Sequence, residues 1–172
     1  KPTIKTFIKD FKQANLMLAY PSISISDEGN EIQSLLSVIT GGCMGSRLFQ
    51  QIREKKGLAY SVYSSPARRV NCGSFNVALN INSVNTVGAL TATLDEIEKI
   101  AESGIADDEL MAAKAQLRAS IVFGQENVQS IMLSLGKNLS LADSVFDIDQ
   151  TVEKINSVTK AQINDFARKL FA

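Results

Sequence analysis

The 172-residue sequence contains no histidine. That absence excludes Ser-His-Asp and Cys-His catalysis completed within this chain, and any metal site built on imidazole. Cys43 and Cys72 are too few for a four-cysteine cluster and too far apart for a Cys-x-x-Cys pattern. They read as buried, unreactive thiols suited to a reducing compartment, so the expected location is cytoplasmic. Net charge is absent too: 18 Lys+Arg balance 18 Asp+Glu, which argues against a nucleic-acid surface built on bulk charge. No apolar run reaches membrane-spanning length, and no signal-peptide pattern opens the chain. Low-complexity segments, charge blocks and solenoid repeats are missing as well.

What is present is a globular composition, 45% hydrophobic and 21% charged, enough for one core in one domain over residues 1–172. The chain opens with Lys-Pro-Thr rather than Met and reads as a fragment or a processed product. Residues 4–11 alternate weakly, and 14–20 form an apolar run of strand length stopped by Pro21. Ser26-Asp27 offers an N-cap for a helix carrying Ile32, Leu35, Leu36 and Ile39, ended by Gly41-Gly42. A second helix is expected over 45–56, with Gly57 just past its end, then a strand over 58–64.

The clearest strand is 73–82. Phe75, Val77, Leu79 and Ile81 point one way; Ser74, Asn76, Ala78, Asn80 and Asn82 point the other. A polar, uncharged face of this kind borders water rather than a second core layer. Helices follow: 84–103 closed by Gly104, a long helix from an Asp107 N-cap to about Leu135, and a short one over 149–156. The last opens on the capping box Thr159-x-x-Gln162, with the stripe Ile163, Phe166, Ala167 and Leu170. Strands first and helices later give an α+β fold: two layers, a mainly antiparallel sheet with helices on one face.

Residues 41–64 read Gly-Gly-Cys-Met-Gly-Ser-Arg-Leu-Phe-Gln-Gln-Ile-Arg-Glu-Lys-Lys-Gly-Leu-Ala-Tyr-Ser-Val-Tyr-Ser. This stretch resembles the signature of the second domain of pitrilysin-type (M16) zinc peptidases, in the short bacterial branch similar to mitochondrial processing peptidase. Cys43 stands where a third Gly is usual and Gly45 where Ser is usual. The segments beginning at Gly104 and at Val158 resemble two of that family's helix starts. The resemblance implies the two-layer fold of the LuxS and mitochondrial-processing-peptidase-like metallohydrolases. It also implies an active unit of two homologous halves around a chamber. One half carries His-x-x-Glu-His and the zinc. The other, lacking metal ligands, supplies an Arg and, seven residues later, a Tyr, which fall here on Arg53 and Tyr60. With no histidine, this chain is expected to be the second kind. No cofactor or metal is expected in it, and Zn²⁺ is expected in a partner His-x-x-Glu-His half, on the same chain or another subunit.

The implied function is the non-metal half of a zinc-dependent metalloendopeptidase. It would close the peptide-binding chamber, with Arg53 and Tyr60 positioning substrate and stabilising the oxyanion. The rivals are a non-catalytic scaffold and a substrate-binding subunit of a heteromer; pairing of two copies stays open. Without the resemblance, Tyr60 reads as a half-buried strand tyrosine and Arg53 as a surface cation. Tyr63 reads as packing on the opposite strand face from Tyr60, and Arg47 as a structural ion pair or cap contact. Gly41 to Gly45 read as a tight turn, since no Gly-Lys-Ser/Thr follows. Glu126 reads as a solvated or paired carboxylate, and Arg68-Arg69 as a solvated turn. The family usually continues past the last helix into another strand, so Phe171-Ala172 reads as a truncation.

Overall fold

A computed structural model describes residue 5, residues 13–142 and residues 147–172. The strand expected over 4–11 lies largely outside the described residues. Three strands, β1 (Gln13–Ser22), β2 (Ala59–Arg68) and β3 (Gly73–Asn82), form an antiparallel sheet in the order β1-β3-β2. The strand with the cleanest alternation, β3, is therefore central. Its Phe75, Val77, Leu79 and Ile81 are almost fully buried. The register pairs Leu18 and Ser64 with Val77, and Leu16 and Val62 with Leu79. One sheet face thus faces the core and the other faces outward. Pro21 does not stop β1, and β2 runs through Pro66 to Arg68. Both prolines sit on edge strands, where a missing N–H costs no ladder bond.

Helices α1 (Asn30–Ser37), α2 (Thr86–Ser103) and α6 (Lys160–Phe171) cover the inner face, so the α+β, two-layer architecture is present. They bury Leu35 and Leu36, Ile97 and Ile100, and Ile163, Ala167 and Leu170. Phe171 closes the layer with edge-on contacts to Tyr20 and Phe75, at centroid distances of 5.0 and 5.6 Å. Thr159 and Gln162 form the expected capping box. Past α1 the chain continues as π-helical turns over Val38–Gly42. There Gly41 passes so close to β2 that a Cβ would lie 2.8 Å from the Ser64 backbone nitrogen. The same contact carries reciprocal hydroxyl bonds, Ser37 Oγ to the Ser64 carbonyl and Ser64 Oγ to the Ser37 carbonyl, at 2.9 and 2.8 Å.

Several local expectations are corrected. Asp27 does not cap α1: its carboxylate accepts from the Ser24 N–H at 2.7 Å, and Gly29, at φ +96°, occupies the cap position. Asp107 is the first residue of α3 (Asp107–Gly124) rather than its cap, because Ala106 is still extended. Asp107 instead pairs with Lys160 at 3.0 Å. The long helix to Leu135 is two helices. It breaks after Gly124, and Asn127 starts α4 (Val128–Ala142) by accepting from the Gln129 and Ser130 N–H groups. A short α5 (Ile148–Ser157), capped by Asp147, precedes α6. No helix among the described residues is long and apolar enough to cross a membrane.

Candidate functional site

Arg53 lies on a π-helix, Phe49–Lys55, that continues a helical turn begun at Arg47. Fully buried Leu48 and Ile52 pin this segment to the core. Arg53 follows Ile52 and turns outward, its side chain 42% exposed. The Lys56 N–H bonds back to the Gln51 carbonyl at 3.2 Å, a wide turn typical of π-bulges near functional sites. Gly57, at φ +61°, then reverses the chain into β2.

Tyr60 comes next as the extra residue of a β-bulge. Ala59 pairs with Ile81 and Ser61 with Asn80, so one β3 step is spanned by two on β2. The bulge leaves Tyr60 78% exposed. The two predicted residues meet: the Arg53 guanidinium carbon is 6.0 Å from the Tyr60 ring centroid and 4.7 Å from that of Phe49. Phe49, read from the sequence as part of an apolar stripe with Leu48 and Ile52, is half-buried and also carries the Arg53 guanidinium, as its place four residues before Arg53 on a helical segment allows. Glu54 Oε1 lies 3.8 Å from Arg53 Nε.

Tyr60 also lines a cleft of about 290 Å³ with Gln13, Gly57, Asn80, Asn82 and Asn85. This cleft opens at one end of the outward sheet face. The bulge shifts strand parity, so Tyr63 pairs with Ala78 on that same outward face and is half-exposed, not packed on the opposite one. The outward positions are Gln13, Asn15, Met17, Ala19 and Pro21 on β1, Ser61, Tyr63, Ser65 and Ala67 on β2, and the asparagine-rich side of β3. None is charged. The Asn80 amide donates to Asn15 Oδ1 at 3.1 Å across the strands.

Arg47 is a structural residue. Its Nε and terminal nitrogen hold both Glu109 oxygens at 2.6 and 2.7 Å, and that nitrogen also donates to the Gly104 carbonyl at 2.9 Å. Burial pushes the Glu109 carboxyl up, but the Arg47 and Ala106 hydrogen bonds and the charges of Arg47 and Lys160 bring it below its ordinary value. Arg68 is not in a solvated turn. It donates to Gln33 Oε1 at 2.6 Å, the Asn30 carbonyl at 2.7 Å and Ser34 Oγ at 2.9 Å, and burial lowers its pKa against the opposing charge of Glu31. Cys43 is half-buried and Cys72 exposed, rather than both core. Glu126 is exposed. Among the described residues, no group of three or more Cys, Asp or Glu side chains could hold a metal ion, so the donors do not suit zinc.

The family described as the peptidase M16 inactive domain matches residues 1–117. An uncharacterized zinc protease of Streptomyces coelicolor is 36% identical over 157 residues, which cover 91% of this chain and 34% of that protein. The uncharacterized zinc protease YmxG of Bacillus subtilis is 32% identical over 164 residues, covering 95% of this chain and 40% of that one. The crystal structure of a peptidase M16 inactive domain from Pseudomonas fluorescens superposes with a TM-score of 0.80 at 25% identity, over 92% of this chain and 38% of that one. The chain thus spans between a third and two-fifths of the length of these relatives.

Proposed function

The chain belongs to the peptidase M16 inactive-domain family, and we propose that it serves as the non-metal half of a zinc-dependent metalloendopeptidase, a piece of a longer protein or assembly. The outward sheet face forms one wall of the chamber, closed by a His-x-x-Glu-His half that holds the zinc. The observation that carries this reading is the meeting of Arg53 and Tyr60 beside the cleft at one end of that wall.

In this role the Tyr60 phenol donates to the carbonyl oxygen of the scissile peptide as negative charge grows there. Arg53, steadied by Phe49, directs its guanidinium fork at a substrate carbonyl or carboxylate. Both side chains are substantially exposed. A hydrogen bond in open water contributes little, so the pair depends on a second half that covers it and excludes water. The substrate is an extended peptide lying along an uncharged wall.

The test is Tyr60→Phe in the assembled enzyme. Removing one oxyanion donor is expected to lower kcat by about 10²–10³ with little change in KM. Unchanged kcat with raised KM supports a substrate-binding subunit. A wild-type assembly that hydrolyses no peptide supports the scaffold.

A further inference from the structure

Helix α4 carries an apolar stripe on one side, with Gln129, Ser130, Lys137 and Ser140 on the other. Of its fifteen residues only Lys137 is charged. Ile131, Ser134, Asn138 and Leu141 are half-buried. The stripe Val128, Met132, Leu135 and Leu139 follows the 4-3-4 spacing of a helix-packing seam and is 80, 60, 42 and 60% exposed. Leu133 on α4, and Val122 and Phe123 at the end of α3, are exposed as well. An apolar stripe of this kind, left open to water, marks an interaction surface.

We propose that the rest of the M16 peptidase, the polypeptide that accounts for the remaining length of its relatives, packs an uncharged apolar surface against the Val128–Leu139 stripe. The inference rests on the reading of the chain as one part of a larger peptidase. Two observations select this occupant. The relatives are two and a half to three times as long as the matched region, so most of their surface lies outside these residues. A lipid surface is disfavoured because an interfacial helix carries Lys and Arg along its polar face, and α4 has a single Lys. In this arrangement the two faces divide their work: the α4 side holds the assembly together and the outward sheet face meets substrate.

The experiment uses the chain assembled with the rest of its peptidase, with a photoreactive Leu135→p-benzoylphenylalanine substitution and mass-spectrometric mapping of the cross-link. The expected product joins position 135 to peptidase sequence outside these 172 residues. A cross-link to residues 107–142 of a second copy, a lipid adduct, or no cross-link overturns the proposal. A second measurement uses Met132→Cys in a Cys43→Ser, Cys72→Ser background. Its maleimide labelling in the assembly should be at least about tenfold slower than in urea; equal rates overturn the proposal. Peptidase activity is read separately. An inactive assembly that cross-links as expected removes the catalytic reading and keeps this one, and an active assembly without the cross-link does the reverse.

Discussion

Replacing Glu109 tests how the helix that carries Arg53 is anchored to α3. The carboxylate meets Arg47 on two oxygens at 2.6 and 2.7 Å and also accepts the Ala106 N–H at 2.7 Å. The two side chains are only 20 and 27% exposed. An open surface pair is worth at most about 1 kcal/mol, whereas breaking a buried pair on one side costs about 3–5 kcal/mol. This pair lies between those limits, so Glu109→Ala should cost about 2 kcal/mol, much of it from the covered guanidinium left behind. For a chain of this size that lowers Tm by about 4–8 °C. Thermal unfolding of Arg47→Ala, Glu109→Ala and the double variant gives the coupling, expected at about 1–2 kcal/mol. The sign with pH is fixed by the lowered Glu109 pKa. Its contribution is complete above the ordinary carboxylate range and fades as pH falls through the folded-state value. The Tm gap between wild type and Glu109→Gln should therefore be widest near neutrality and close in acid, below about pH 4. Additive single effects, or a gap that widens in acid, would refute the anchoring role.

Gly41→Ala places a Cβ 2.8 Å from the Ser64 backbone nitrogen, so denaturant unfolding should show a loss of about 1–3 kcal/mol. Gly57→Ala meets no neighbour but must hold φ +61°. It should cost about 1 kcal/mol and, in the assembled enzyme, lower kcat/KM by displacing Tyr60 from Arg53. Zinc added to the purified chain should leave its Tm unchanged; a rise that saturates with zinc would show a donor set overlooked among its acidic side chains and thiols.

The parts of the fold legible in the sequence are those written in local pattern. The period-two alternation of 73–82 marked the central strand to the residue, and Thr159-x-x-Gln162 marked the start of α6. The meeting of Arg53 and Tyr60 was legible only through the family signature. Their seven-residue spacing crosses a π-turn, a left-handed glycine and a bulge, and only Gly57 announces itself. One unannounced bulge residue was also enough to put Tyr63 on the wrong face. Arg68 was misread because its partners on α1 lie more than thirty residues away, where no local rule reaches.

The misreading of residues 107–135 has a different cause. Leu110, Leu117 and Ile121 lie on α3 and Val128 and Leu135 on α4, yet their spacing stays helical across the break, so periodicity did not reveal it. The error was to read one continuous helix, when the chain breaks after Gly124 and Asn127 caps a new one. Periodicity identifies which side of a helix avoids water, but it does not name what covers it. The same reasoning applies to the uncharged sheet face and the exposed Arg53–Tyr60 pair. A phenol and a guanidinium in open solvent are ordinary surface groups, and the same two groups under a second protein layer can hold a developing charge. On the proposed reading, the chemistry of this chain depends on a second layer over the outward sheet face, and the exposed α4 stripe is where that larger assembly is proposed to hold it.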